Sequence, residues 1–145
     1  GIVWWNLRDG WPVFSDAIVD YYNSKKMAYY FIKNVQQDVC VLINDAEGGN
    51  YPLIGTNDTR NVQSGNVTVT DASSGRKIYE STFRIPANQK VRTASLPEES
   101  GQGIYLIQYQ IGNQKFMNHY LYGKAPFNLK EYKRLLQKTG LYAKK

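Results

Sequence analysis

The sequence predicts a mainly β fold: an immunoglobulin-like antiparallel sandwich of about seven strands, preceded by a strand-helix unit and followed by one helix. Three observations carry this. From residue 38 to residue 122 apolar and polar residues alternate with period two in short β-rich runs. Turn-forming clusters interrupt those runs every 8 to 15 residues or so. On either side of this span the apolar spacing becomes helical. About seven short antiparallel strands in such a length is the signature of a two-sheet sandwich.

In chain order, Ile2-Val3-Trp4-Trp5-Asn6-Leu7 is β-branched and aromatic without polar alternation, which predicts a strand buried on both sides. Arg8-Asp9-Gly10-Trp11-Pro12 carries the Gly and Pro punctuation of a loop. A helix is expected over 25 to 35, with Asn23 or Ser24 as N-cap and Met27, Tyr30 and Phe31 on one face beside Ala28, Ile32 and Val35. Strands are expected at 38–44, 52–59, 65–72, 77–85, 90–96, 103–111 and 114–122. The turns between them are Glu47-Gly48-Gly49-Asn50, Gln63-Ser64-Gly65-Asn66, Asp71-Ala72-Ser73-Ser74-Gly75 and the two-residue loop Gly112-Asn113. In Val67-Thr68-Val69-Thr70 and in Ile104-Tyr105-Leu106-Ile107-Gln108-Tyr109 the alternation gives each strand one apolar and one wetter face. Asn128-Leu129-Lys130-Glu131 reads as a capping box. It opens a final helix whose apolar face is Leu129, Tyr132, Leu135 and Leu136 and which ends near Thr139-Gly140.

Composition narrows the function. The chain has 145 residues, 42% hydrophobic and 14% aromatic, enough for one real core. Its net charge of +6 raises nucleic acid as a partner, but much of the excess sits at the end, where Lys130, Lys133, Arg134, Lys138, Lys144 and Lys145 face only Glu131. That is a solvated helix and tail, so no nucleic-acid role is expected. The single cysteine, Cys40, excludes an internal disulfide and a Cys-rich zinc site, and within Val39 to Ile43 it reads as a buried strand thiol. His119, the one histidine, has no Cys or carboxylate cluster around it in sequence, so no metal and no cofactor are expected. No apolar run reaches the ~20 residues of a membrane-spanning helix. Tyr105, Tyr109, Tyr120 and Tyr122 recur at strand spacing and read as core or cross-strand pairs rather than as a sugar-stacking strip.

The first segment carries more specific wording. Gly1-Ile2-Val3-Trp4-Trp5-Asn6-Leu7-Arg8-Asp9-Gly10-Trp11-Pro12, then Val19-Asp20-Tyr21-Tyr22, then Lys26-Met27-Ala28-Tyr29-Tyr30, resembles glycoside hydrolase family 2 in order and spacing, close to its β-mannosidases. Asn6 and Arg8 stand where the family carries Gln and Asn. Over residues 38 to 123 the resemblance rests on topology and on Asn57-Asp58-Thr59, similar to an Asn-Asp turn of such sandwiches.

The resemblance implies that residues 1–37 are the eighth strand and helix of a catalytic (β/α)8 barrel and that 38–124 are an immunoglobulin-like sandwich, the residue pattern leaving 125–145 as a C-terminal helix and tail. It implies the C-terminal part of a retaining exo-β-glycosidase acting on a carbohydrate, mannose, galactose or glucuronic acid being left open. Retention needs two carboxylates about 5 to 5.5 Å apart. In barrel enzymes they come from the carboxyl ends of several strands. The family's two catalytic glutamates lie on earlier strands, so no catalytic residue is expected here and the fragment alone is expected to be inactive. Asp9, Asp16 and Asp20 are read as turn and cap residues rather than a catalytic pair. Trp5 matches the family Trp that lines the sugar subsite, where an indole offers an apolar face and one N–H donor. Asn6 and Asp9 are candidates for touching the sugar or supporting its loop, and Trp4 and Trp11 for barrel or interface core. A periplasmic or secreted location follows from the same resemblance. An uncompleted barrel strand with apolar flanks invites association, so a homodimer of the fragment is expected. The alternative is a stand-alone carbohydrate-binding or adhesive sandwich, to which the Trp-rich segment and its helix would be superfluous.

Overall fold

The computed structural model describes residues 4 to 141. Its elements follow the periodicities closely: helix α1 (Met27–Val35), strands β1 (Val39–Ile43), β2 (Asn50–Asn57), β3 (Gln63–Asp71), β4 (Lys77–Ile85), β5 (Gln89–Pro97), β6 (Gly103–Ile111) and β7 (Gln114–Tyr122), and helix α2 (Leu129–Lys138). The fold is mainly β, seven antiparallel strands in two sheets with one helix before and one after. One sheet has the order β1-β2-β5, the other β4-β3-β6-β7. Thus β4 lies at the edge of the second sheet beside β3. In a constant-type immunoglobulin domain the fourth strand lies in the sheet of the first.

The inward positions of both sheets meet in one core. Val41, Leu53, Val67, Val69, Ile85, Tyr105 and Ile107 are sealed from solvent, with Tyr109, Phe83 and Leu96 beside them. Tyr105 and Tyr109 are core residues, Tyr105 stacking on Tyr122 and Tyr109 on Phe116. The aromatic spacing therefore reflects cross-strand pairs between β6 and β7 on the core face of one sheet. Cys40 is buried as expected.

Polar pins join the two layers. The side chain of Asn57, fully buried at the end of β2, donates from Nδ2 to the backbone oxygens of Asn61 (2.8 Å), Pro86 (3.0 Å) and Ile85 (3.1 Å). Its Oδ1 accepts from the backbone amide (2.9 Å) and the hydroxyl (2.7 Å) of Thr59. Ile85 ends β4, so this one amide ties β2 of the first sheet to an edge strand of the second. At the other edges, Tyr109 donates its hydroxyl to the oxygen of Val39 (3.1 Å), and Asn118 Nδ2 donates to the oxygen of Val41 (3.4 Å). Buried carbonyls left without such donors would be costly.

Four expectations need correcting. Gln63-Ser64-Gly65-Asn66 is the start of β3 rather than a turn, the turn having moved upstream to the Asn57–Thr59 knot. Gly65 belongs there because a Cβ would lie 2.0 Å from the backbone oxygen of Gln110 on β6. Second, β6 is not wet on its outer face along its whole length: Ile104 and Leu106 are buried. The cover is α2, whose Leu135 packs on Ile104 and whose Leu136 packs on Leu106, with Met27 and Phe31 of α1 against the same group. Third, the capping box is half formed. Asn128 Oδ1 accepts the amide of Glu131 (3.1 Å), but Glu131 turns to Arg134 in a bidentate pair, and Leu129 lies exposed rather than on the buried face. Fourth, α1 starts later than expected, with Lys26 as N-cap and no side-chain cap. Asn23 and Ser24 are used in a preceding turn, where Asn23 has φ +67° and the Ser24 amide donates to Asp20 (2.7 Å).

His119 of β7 sits where the two helices meet the sheet. Its Nε2 is 2.8 Å from the Tyr132 hydroxyl of α2, and its ring lies 4.9 Å from that of Phe31 of α1, while Nδ1 is buried without a hydrogen-bond partner. Burial pulls its pKa down to about 4 from an ordinary 6.5. The folded chain therefore resists a proton that the unfolded chain takes up below pH 6.5, so stability falls as the pH drops from 6.5 towards 4. Urea unfolding is expected to show a loss of roughly 2 to 3 kcal/mol from this group between pH 7 and pH 4.5, and His119→Phe should flatten that part of the dependence. Replacing Asn57 with Ala strands the carbonyls it serves. A lower urea midpoint at unchanged slope, corresponding to about 2 to 3 kcal/mol, is expected.

Candidate functional site

The residues singled out for sugar contact lie in the segment before α1. Residues 4 to 7 are not a strand, contrary to expectation, and residues 1 to 3 fall outside the described residues. A strand buried on both sides needs a hydrogen-bonded neighbour on each side. Here Arg8 makes a single parallel bridge to Val19, through the Val19 amide to Leu7 O and the Asp9 amide to Val19 O, each 3.0 Å. Val19 bridges Lys25 in turn, and the Lys26 amide donates to Ile18 O (2.9 Å). Three short lengths of chain thereby lie side by side and lead directly into α1.

Asp9 holds this arrangement together. Its side chain is buried; the Ser15 hydroxyl donates to Oδ1, and the Lys26 ammonium lies 3.0 Å from Oδ2. Lys26 also donates to Ser15 O (3.1 Å), and Ser15 Oγ accepts the amide of Ala17 (3.0 Å). The Ser15 hydroxyl, and after it Lys26, hold the Asp9 carboxyl below its usual pKa. An ionised carboxylate engaged on both oxygens is a fastening for the loop. Neither Ser15 nor Lys26 was legible as its partner, since 16 residues of chain lie between Asp9 and Lys26.

The loop so fastened presents aromatic side chains outward. Trp5 is 78% exposed, Asn6 beside it is exposed with φ +63°, and Phe14 is wholly exposed. Trp4 and Trp11, expected as core, are 43% and 68% exposed here. Such a run of large apolar side chains is the mark of an interaction surface. Asp20 accepts the Ser24 amide in its turn, and the charge of Asp9 is paired with Lys26. Among the described residues no three His, Cys, Asp or Glu side chains come together, and no helix is long and apolar enough to cross a membrane.

No family model and no curated protein matches the chain. Solved structures do. A β-D-mannosidase from Dictyoglomus thermophilum matches 82% of this chain at 28% identity, with a TM-score of 0.64, the match taking up 16% of that chain. The chain is similar to a segment of a glycoside hydrolase. An exo-chitosanase of Amycolatopsis orientalis, solved with PNP-β-D-glucosamine, has the same fold over 87% of this chain at 20% identity, TM-score 0.64, again over 16% of its length. The chain thus spans about one sixth of each of these enzymes. The resemblance to glycoside hydrolase family 2 drawn from the wording of residues 1 to 37 agrees with these structures.

The Asp9 fastening has a measurable sign. A carboxyl with a lowered folded pKa stabilises the fold above its ordinary value of 3.8 and loses that contribution as the pH falls through the folded value. Amide exchange at residues 9, 19 and 26 should therefore be protected at pH 6 and lose protection in acid. Asp9→Asn or Lys26→Met should lower those protection factors several-fold at pH 6 while leaving the amides of β3 and β6 unchanged.

Proposed function

We propose that this chain is the C-terminal part of a retaining exo-β-glycosidase. Residues 1 to 37 supply the last strand and helix of its catalytic barrel, and the sandwich with α2 braces them. The observation that carries this reading is the combination of 28% identity to a β-D-mannosidase over 82% of this chain with coverage of 16% of that enzyme. The outward-facing Trp4, Trp5, Trp11 and Phe14 support it, because an apolar loop of this kind is satisfied only by further protein or by substrate.

In this reading Trp5 offers its indole to the apolar face of a pyranose, and Asn6 offers a carboxamide to sugar hydroxyls. Asp9 acts behind them: tied to Ser15 and Lys26, it holds the loop on which both stand. The acid/base and nucleophile carboxylates come from the remainder of the parent enzyme, which works in the periplasm or outside the cell. The fragment by itself is inactive, and its uncovered loop pairs with a second copy.

Hydrolysis of a panel of nitrophenyl β-glycosides, by this chain and by the longer chain of its parent gene, tests the reading. The fragment should be silent while the longer chain cleaves one glycoside, and Trp5→Ala in the longer chain should lower kcat/KM by roughly 10- to 100-fold. A silent longer chain would overturn the proposal in favour of a stand-alone binding module. In sedimentation, a concentration-dependent dimer of the fragment that Trp5→Ser/Trp11→Ser weakens is expected.

A further inference from the structure

The helices cover only part of the outer face of the four-stranded sheet. They take the cross-strand rows at Ile104 with Leu121 and at Leu106 with His119. The next two rows, Thr68-Gln108-Met117 and Asn66-Gln110-Lys115, stay open except at Met117, which packs against the Leu106-Leu136-Leu141 group. They line a shallow hollow of about 350 Å³. Lys115, Phe116 and Met117 also wall a second hollow of about 290 Å³, which reaches Asn34 and Gln37 at the end of α1 and Gly140 and Leu141 beyond α2. Through those three shared residues the two hollows run together as one groove along β7, each near the lower end of small-molecule pocket size.

The lining has a definite chemistry. Asn66, Gln108, Gln110 and Asn34 present carboxamides, each of which donates and accepts, as a sugar hydroxyl does. Gln110 donates one of its two N–H hydrogens to Gly112 O (2.8 Å), leaving the other and its oxygen to offer. Met117 adds apolar surface for the C–H face of a pyranose, whereas the Phe116 ring lies on the other face of β7, stacked on Tyr109. Lys115 is the one charged side chain, and among the described residues no carboxylate lines either hollow. A single cation is too few for a polyanion, whose binding rests on many phosphate contacts.

We propose that this groove on the sandwich holds a neutral oligosaccharide, two neighbouring sugar units filling the two hollows. The choice of carbohydrate among hydroxyl-rich ligands rests on the glycosidase reading. The groove itself rests on the side chains that line it.

The test is a titration of the isotopically labelled chain with neutral β-1,4-linked tetrasaccharides of mannose and of glucose, followed by amide NMR. Saturable shifts at Gln108, Gln110, Lys115 and Asn34 are expected. The double variant Gln108→Ala/Gln110→Ala, whose truncated side chains are solvent-facing or half-buried, should weaken binding roughly tenfold with its spectrum otherwise unchanged. No saturable shift, shifts that survive in the double variant, or shifts only around Trp5 would overturn the proposal. Hydrolysis by the longer chain with no shift here removes the groove and leaves the glycosidase standing. Shifts here with a silent longer chain do the reverse.

Discussion

The buried carboxamide of Asn57 is the constraint on which the rest of the sandwich rests. Hydrophobic contact between two sheets is non-directional and would tolerate sliding of one over the other. A fully buried amide that serves three carbonyls and receives two donors does not slide, because each displaced bond leaves a polar group without water. It sets the end of β2 against the end of β4, and thereby the register in which Val41, Leu53, Val67 and Ile85 meet. Tyr109 and Asn118 repeat the device at β1.

Much of this was legible in the residues. Strand alternation located all seven strands within about two residues because each has one face on the common core, and a one-residue slip would turn that face outward. Asn57-Asp58-Thr59 stood out as a turn, although its reach to Ile85 across the sheets is a tertiary fact that no local pattern carries. The outer face of β6 was misjudged for a similar reason. Ile104 and Leu106 are covered by residues about 30 positions away, and periodicity within a strand does not say what lies over it. Glu131 chose Arg134, a neighbour one helical turn on, over the cap.

The candidate site divides between what local wording reveals and what it hides. The Trp-rich loop was visible as wording, and its side chains do face outward. The strand expected at its start is missing among the described residues because a strand is a property of a pair, and here the partner amounts to one bridge at Val19. Asp9 was visible as an acid in a loop, but its task depends on Ser15 and Lys26, which only the folded chain brings to it. Loop fastening therefore falls to Asp9, Ser15 and Lys26, while Trp5 and Asn6 of the same short segment lie exposed.

The seating of α1 also has a consequence in time. Met27 and Phe31 are made early, yet the groups they rest on, Met117, Tyr132, Leu136 and Leu141, leave the ribosome some 90 to 110 residues later. At roughly 5 to 20 residues per second that is several seconds or more of waiting. Through that interval the apolar side of α1 lacks its full berth on the sandwich. A stop codon before residue 128 would leave β7 under α1 but would take Tyr132, Leu136 and Leu141 out of its seat, even though every strand had been completed.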